Sequence, residues 1–153
     1  MRILIVEDLQ VKIEELTGFL SSLISHVHLT VRKSYQSGLE EIIDNHEFYD
    51  LILLDMSMQN YDASKDESGG DPINEVGLHI LDHMYYKDIM NKVIVVTMYA
   101  NFGQDNYSLE ELNARLYNDF PDNYLGCVFF NASDGKWKAD IKKLITENFK
   151  IND

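Results

Sequence analysis

Glu7, Asp8, Asp55 and Thr97 carry the groups in this sequence best suited to metal and phosphoryl chemistry, and each closes an apolar run. Glu7 and Asp8 follow Ile3-Leu4-Ile5-Val6, Asp55 follows Leu51-Ile52-Leu53-Leu54, and Thr97 follows Val93-Ile94-Val95-Val96. If those runs are neighbouring parallel strands, three carboxyl groups converge at one edge of a sheet. They then repel and raise one another's pKa unless a cation neutralises them. Oxygen ligands with open positions suit Mg2+, which keeps several waters and binds through one or two carboxylates plus phosphate. The Thr97 hydroxyl reaches the same edge and can donate to a phosphoryl oxygen. A single acidic residue at a strand end is more often a turn or a helix cap than a ligand, so the reading rests on the conjunction.

The elements that must position these residues are legible in the hydrophobic pattern. Apolar runs at Ile3 to Val6, Val27 to Val31, Leu51 to Leu54, Val93 to Val96 and Cys127 to Phe130 read as strands. Three of them are nearly continuous, as expected for parallel strands covered on both faces. Between them lie segments with helical spacing: Ile13, Leu16, Leu20 and Leu23; Leu39, Ile42 and Ile43; Ile73, Val76, Ile80 and Met84; Leu109, Leu112 and Leu116; and Trp137, Ile141, Leu144 and Ile145. Asp71-Pro72 suggests the start of the third helix, and Ser108 with Glu111 a capping box at the fourth. The sum is an α/β fold, a doubly wound (βα)5 flavodoxin-like parallel sheet in the order 2-1-3-4-5, as a single domain spanning 1–153. Ligands of such sheets bind beyond the carboxyl ends of the strands where the order reverses, here between the first and third strands. The stretch 57–75, rich in Asp, Ser and Gly, reads as a solvated mobile loop.

Four blocks carry a resemblance: Ile3-Leu4-Ile5-Val6-Glu7-Asp8, Tyr49-Asp50-Leu51-Ile52-Leu53-Leu54-Asp55, Gly77-Leu78-His79-Ile80-Leu81 and Val93-Ile94-Val95-Val96-Thr97. In order and over the whole chain, they resemble the successive blocks of response-regulator receiver domains. The resemblance implies that Asp55 is the phosphoacceptor and that Thr97 is the switch hydroxyl. It further implies that Glu7, Asp8 and Asp55 hold Mg2+ together with the backbone carbonyl of Ser57. The phosphoryl donor would be a sensor histidine kinase or a phosphotransfer protein. With no room for an output domain in 153 residues, the signal would pass to a downstream effector protein. The chain is then a signalling module, not an enzyme.

One family feature is absent. Receivers usually carry a lysine at the end of the fifth strand, pairing with the acyl phosphate, and Gly126-Cys127-Val128-Phe129-Phe130-Asn131-Ala132 contains none. Aligning on Gly126 puts Asn131 at that place, and aligning on Trp137 puts Phe129 there. Lys136 and Lys138 are nearby in sequence only. Losing a charge-assisted contact weakens the coupling between modification and shape. The expected consequence is a partial switch, and the alternative is an atypical receiver acting as a phosphorylation-independent interaction module. Met98, after Thr97, reads as a packed thioether. Two stretches, from Asp55 to Gly77 and from Tyr99 to Tyr124, are longer than a minimal receiver needs.

Composition narrows the partners. Acidic residues outnumber Lys and Arg by 26 to 13, and a formal charge of −13 repels phosphate backbones and anionic membrane surfaces alike. No nucleic acid and no membrane are expected as partners, since no apolar run approaches the roughly 20 residues of a spanning helix. Without a signal-peptide core, and with a lone Cys127 reading as a buried packing residue, the expected location is cytoplasmic. A haloacid-dehalogenase-type phosphatase would need a second aspartate where Ser57 stands, and no glycine-rich nucleotide motif is present.

Overall fold

The structure, a computed structural model, describes residues 1–59, 72–73, 75–103 and 106–151. In chain order the elements are β1 (Arg2–Val6), α1 (Gln10–Leu23), β2 (His28–Arg32), α2 (Tyr35–Asn45), β3 (Leu51–Leu54), β4 (Met58–Gln59) and β5 (Pro72–Ile73). They continue with α3 (Val76–Tyr86), β6 (Lys92–Thr97), β7 (Asn101–Phe102), β8 (Tyr107–Ser108), α4 (Leu109–Asp119), β9 (Tyr124–Phe129) and α5 (Lys136–Asn148). Five strands form the main sheet in the order β2-β1-β3-β6-β9, all parallel, which is the expected 2-1-3-4-5 arrangement.

The continuous apolar runs arise because both faces of the sheet are covered. Side chains alternate across a strand, so Leu4, Val6, Ile52, Leu54, Val93 and Val95 enter one core against α2, α3 and α4. Ile3, Ile5, Leu51, Leu53, Ile94 and Val96 enter the other against α1 and α5, around a fully buried Trp137. Leu112 and Leu116 of α4 are wholly buried, so that helix spends its apolar face on the sheet. The capping box of Ser108 and Glu111 is present at the start of α4. Cys127 is half-buried against the first core.

The third helix begins later than the sequence suggests. Pro72–Ile73 pairs antiparallel with Met58–Gln59 instead of opening a helix, and α3 starts at Val76 behind Glu75, whose backbone is left-handed (φ 59°). Proline lacks an N–H, and a two-residue edge ladder tolerates that as readily as a helix start does. Asp71 and most of the 57–75 stretch lie outside the described residues. The long connection after β6 folds in part as the β7–β8 hairpin leading into α4. Among the described residues, no helix is long and apolar enough to cross a membrane.

Candidate functional site

Register decides what meets at the carboxyl edge of the sheet. Val6 of β1 pairs with Leu54 of β3, and Leu54 with Val95 of β6. The residues one step further, Glu7, Asp55 and Val96, are therefore neighbours. The Asp55 amide donates to the Val6 carbonyl at 3.1 Å, which fixes the acidic side chain against β1. One carboxylate oxygen from each of Glu7, Asp8 and Asp55 lies within 4.8 Å of the others. Glu7 and Asp55 are buried, at 2% and 6% exposure, and Asp8 is half-buried.

A fourth charged group stands in this cluster. Lys12, in the first turn of α1, is completely buried, and its Nζ donates to the Val96 carbonyl at 2.6 Å. The same ammonium pairs with Glu7 Oε2 and lies 3.3 Å from Asp55 Oδ2. The other oxygens of Glu7 and Asp55 have their own donors. Glu7 Oε1 accepts from the amides of Asp8 (3.1 Å) and Leu9 (3.0 Å), and Asp55 Oδ1 from the amide of Met56 (2.7 Å). A buried ion pair persists only where such hydrogen bonds complete it, and removing one partner typically costs about 3–5 kcal/mol.

Burial raises the Glu7 carboxyl to about 8, with Lys12 pulling it down and Asp55 pushing it up. Asp55 is also raised, mainly by burial, against the opposing charge of Lys12. Thr97 is fully buried; its Oγ1 accepts from the Tyr99 amide at 3.2 Å, which leaves its own O–H to donate.

The carboxylates expected from the sequence are thus brought together, but the expectation that the site lacks a cation is corrected. Just beyond β9, Phe130 rather than Phe129 or Asn131 faces the cluster. The Phe130 amide continues the ladder to the Thr97 carbonyl at 2.8 Å, and its ring is buried 5.9 Å from Lys12 Nζ. Phe129 points away, 41% exposed, and Asn131 turns back to accept from the Ser133 amide and hydroxyl. Lys136 pairs with Asp140, and Lys138 faces Glu15. Met98 is 44% exposed rather than packed.

Lys12 escaped the sequence reading although a signal was there. It falls on the apolar face of α1 with Ile13, Leu16 and Leu20. A lysine on that face, in a first turn where the helix dipole disfavours cations, needs an anionic partner beyond the helix.

Two buried carboxylates and a half-buried third meet at the switch point of a 2-1-3-4-5 parallel sheet, a receiver-type α/β fold. No family model matches the chain. Among curated proteins it is 28% identical over 150 residues to the Detocs response regulatory protein DtcB of Enterobacter cloacae, covering 96% of this chain and 99% of that one. It is 31% identical over 147 residues to the uncharacterized protein y4jR of Sinorhizobium fredii, covering 93% and 95%. Among solved structures, a response regulator receiver domain protein of Clostridium thermocellum superposes with a TM-score of 0.63 at 15% identity, covering 95% of this chain and 91% of that one. A CheX-CheY-BeF3-Mg complex of Borrelia burgdorferi gives 0.63 at 14% identity, covering 96% and 87%. The chain thus has the fold of response-regulator receiver domains and is similar over nearly its whole length to a response regulatory protein.

Proposed function

We propose that this chain is a phosphoryl-accepting signalling module, not an enzyme, with Asp55 as the acceptor. The supporting observation is the meeting of Glu7, Asp8 and Asp55 within 4.8 Å at the carboxyl edge of the sheet, beside the Thr97 hydroxyl. An oxygen of Asp55 attacks phosphorus as the bond to the donor breaks, and the leaving group takes that bond's electron pair. From a sensor histidine kinase or phosphotransfer protein, the broken bond is P–N and the leaving group is imidazole. Thr97 then donates to a phosphoryl oxygen.

The donor set fits a hard divalent cation, because all its side-chain atoms are carboxylate oxygens. Asp8 and Asp55, with the backbone carbonyl of Ser57, would hold Mg2+ directly. Glu7 is committed on both oxygens to Lys12 and to the turn amides, so it supports the site from behind. When bound, Mg2+ supplies neutralising charge to the transferring group. The phosphorylated surface acts on a downstream effector protein, and the setting is cytoplasmic. Lys12 beside Asp55 favours this reading over a phosphorylation-independent interaction module.

Incubation with acetyl phosphate and Mg2+, followed by intact mass, tests the reading. One phosphoryl group is expected on the wild-type chain and none without the metal. A wild-type protein that stays unlabelled under conditions that label another receiver sinks it.

A further inference from the structure

We propose that Lys12 is the cation that pairs with the phosphoryl group on Asp55, so that helix α1 supplies the charge which β9 does not. The inference rests on Asp55 being the phosphoacceptor and deepens that reading.

Lys12 is placed for the task by three contacts of unequal kind. Its ammonium has three protons. One goes to the Val96 carbonyl at 2.6 Å and one to Glu7, which together anchor the group at the edge of the sheet. The third faces Asp55 Oδ2 at a looser 3.3 Å, the side on which charge changes when the carboxylate is esterified. Forming the Oδ–P bond, with loss of acetate or imidazole, moves negative charge from the carboxylate onto the phosphoryl oxygens. The third proton can follow that charge while the other two hold. Preset donors aimed where charge develops are what phosphoryl transfer needs. The Phe130 ring, 5.9 Å from Nζ, occupies the end of β9 and closes that side of the ammonium from water.

A lysine that only balanced Glu7 would not need to touch the acceptor oxygen. Its reach across to Asp55 and Val96, on two further strands, is what points to the reaction.

The experiment reads the lysine directly. In wild-type protein with Mg2+, the Lys12 ammonium resonance is followed by NMR before and after adding beryllofluoride, while Lys12→Met is labelled with acetyl phosphate. Mg2+ binding to the variant reports that fold and carboxylates are intact. A shifted and more slowly exchanging Lys12 ammonium, together with labelling slowed roughly a hundredfold, is expected. Lys12→Met/Phe130→Lys, which returns a cation to the same side from β9, should recover a large part of the rate. If Lys12→Met does not fold, the wild-type resonance decides alone. An ammonium signal indifferent to beryllofluoride overturns the inference, as does a folded Lys12→Met labelled at the wild-type rate. In either case Asp55 is still labelled in the wild type, which separates this failure from failure of the reading beneath it.

Discussion

The Lys12 ammonium lies 5.9 Å from the Phe130 ring centroid, across the edge of the sheet from it, so a residue of α1 and the end of β9 meet at the carboxylates. Helix α1 brings positive charge to this edge, with a side chain long enough to cross from its first turn to Val96 of β6.

We predict that Mg2+ binding depends most on Asp8 and Asp55. Loss of an outer-shell partner weakens metal sites about 10–100-fold, and loss of a direct ligand should do at least as much. Asp8→Asn is therefore expected to bind Mg2+ or Mn2+ more weakly by that factor or more. Lys12→Met, which removes a like charge from beside the metal, should bind more tightly. Amide shifts around Asp55 during a metal titration measure both, and an Asp8→Asn protein with wild-type affinity removes Asp8 from the ligand set.

Asp55→Asn should take no phosphoryl group and remain folded. Removing this carboxylate leaves Lys12 paired with Glu7 and lessens repulsion within the acidic cluster. The melting temperature is expected to equal or exceed that of the wild type. Intact mass and a thermal melt check the two halves, and labelling that persists in the variant means another residue is the acceptor.

Gly77 is a packing constraint on the site. A Cβ there would lie 2.7 Å from Met56 Sδ and 3.0 Å from the Asp55 carbonyl oxygen, so alanine must displace the segment that carries Asp55. Gly77→Ala should cost about 1–3 kcal/mol, as overpacking does, and slow labelling as well. Gly18→Ala is the contrast, since a Cβ there meets nothing within 4 Å and gains up to about 1 kcal/mol of helix propensity. Chemical denaturation of both variants, with labelling rates alongside, tests the difference.

A pH-dependent element lies away from the site. The Tyr49 hydroxyl donates to Glu41 at 2.5 Å, and Arg32 pairs with the other oxygen at 2.8 Å. Glu41 is held below the ordinary carboxylate range, chiefly by the Tyr49 hydrogen bond. A carboxyl depressed on folding contributes stability that is fully present above its unfolded value of about 4.3 and is lost as pH falls through the folded value. Tyr49→Phe should therefore melt below the wild type near neutrality, and the gap should narrow as the solution is acidified below about 4. A gap that is constant across that range would show that the hydroxyl acts through packing alone.

The sequence by itself determined the sheet, its order and the acidic cluster, because local patterning carries them. Continuous runs such as Ile3 to Val6 and Leu51 to Leu54 read as strands buried on both faces, and parallel strands of that length put the residues after them at one edge. The capping box at Ser108 was equally local, a matter of four consecutive residues. The start of α3 was not, since Pro72 suits a helix start and an edge strand alike and only pairing with β4 separates them. The identity of the cation was least visible. Lys12 is 84 residues from Val96 and 43 from Asp55, and neither separation shows in a pattern with a period of two or 3.6 residues. Which residue delivers charge to a site is decided by side-chain reach across packed elements. Helix α1 crossing the sheet beside β1, with a flexible four-carbon stem pointing at the edge, brings its ammonium to both Glu7 and Asp55.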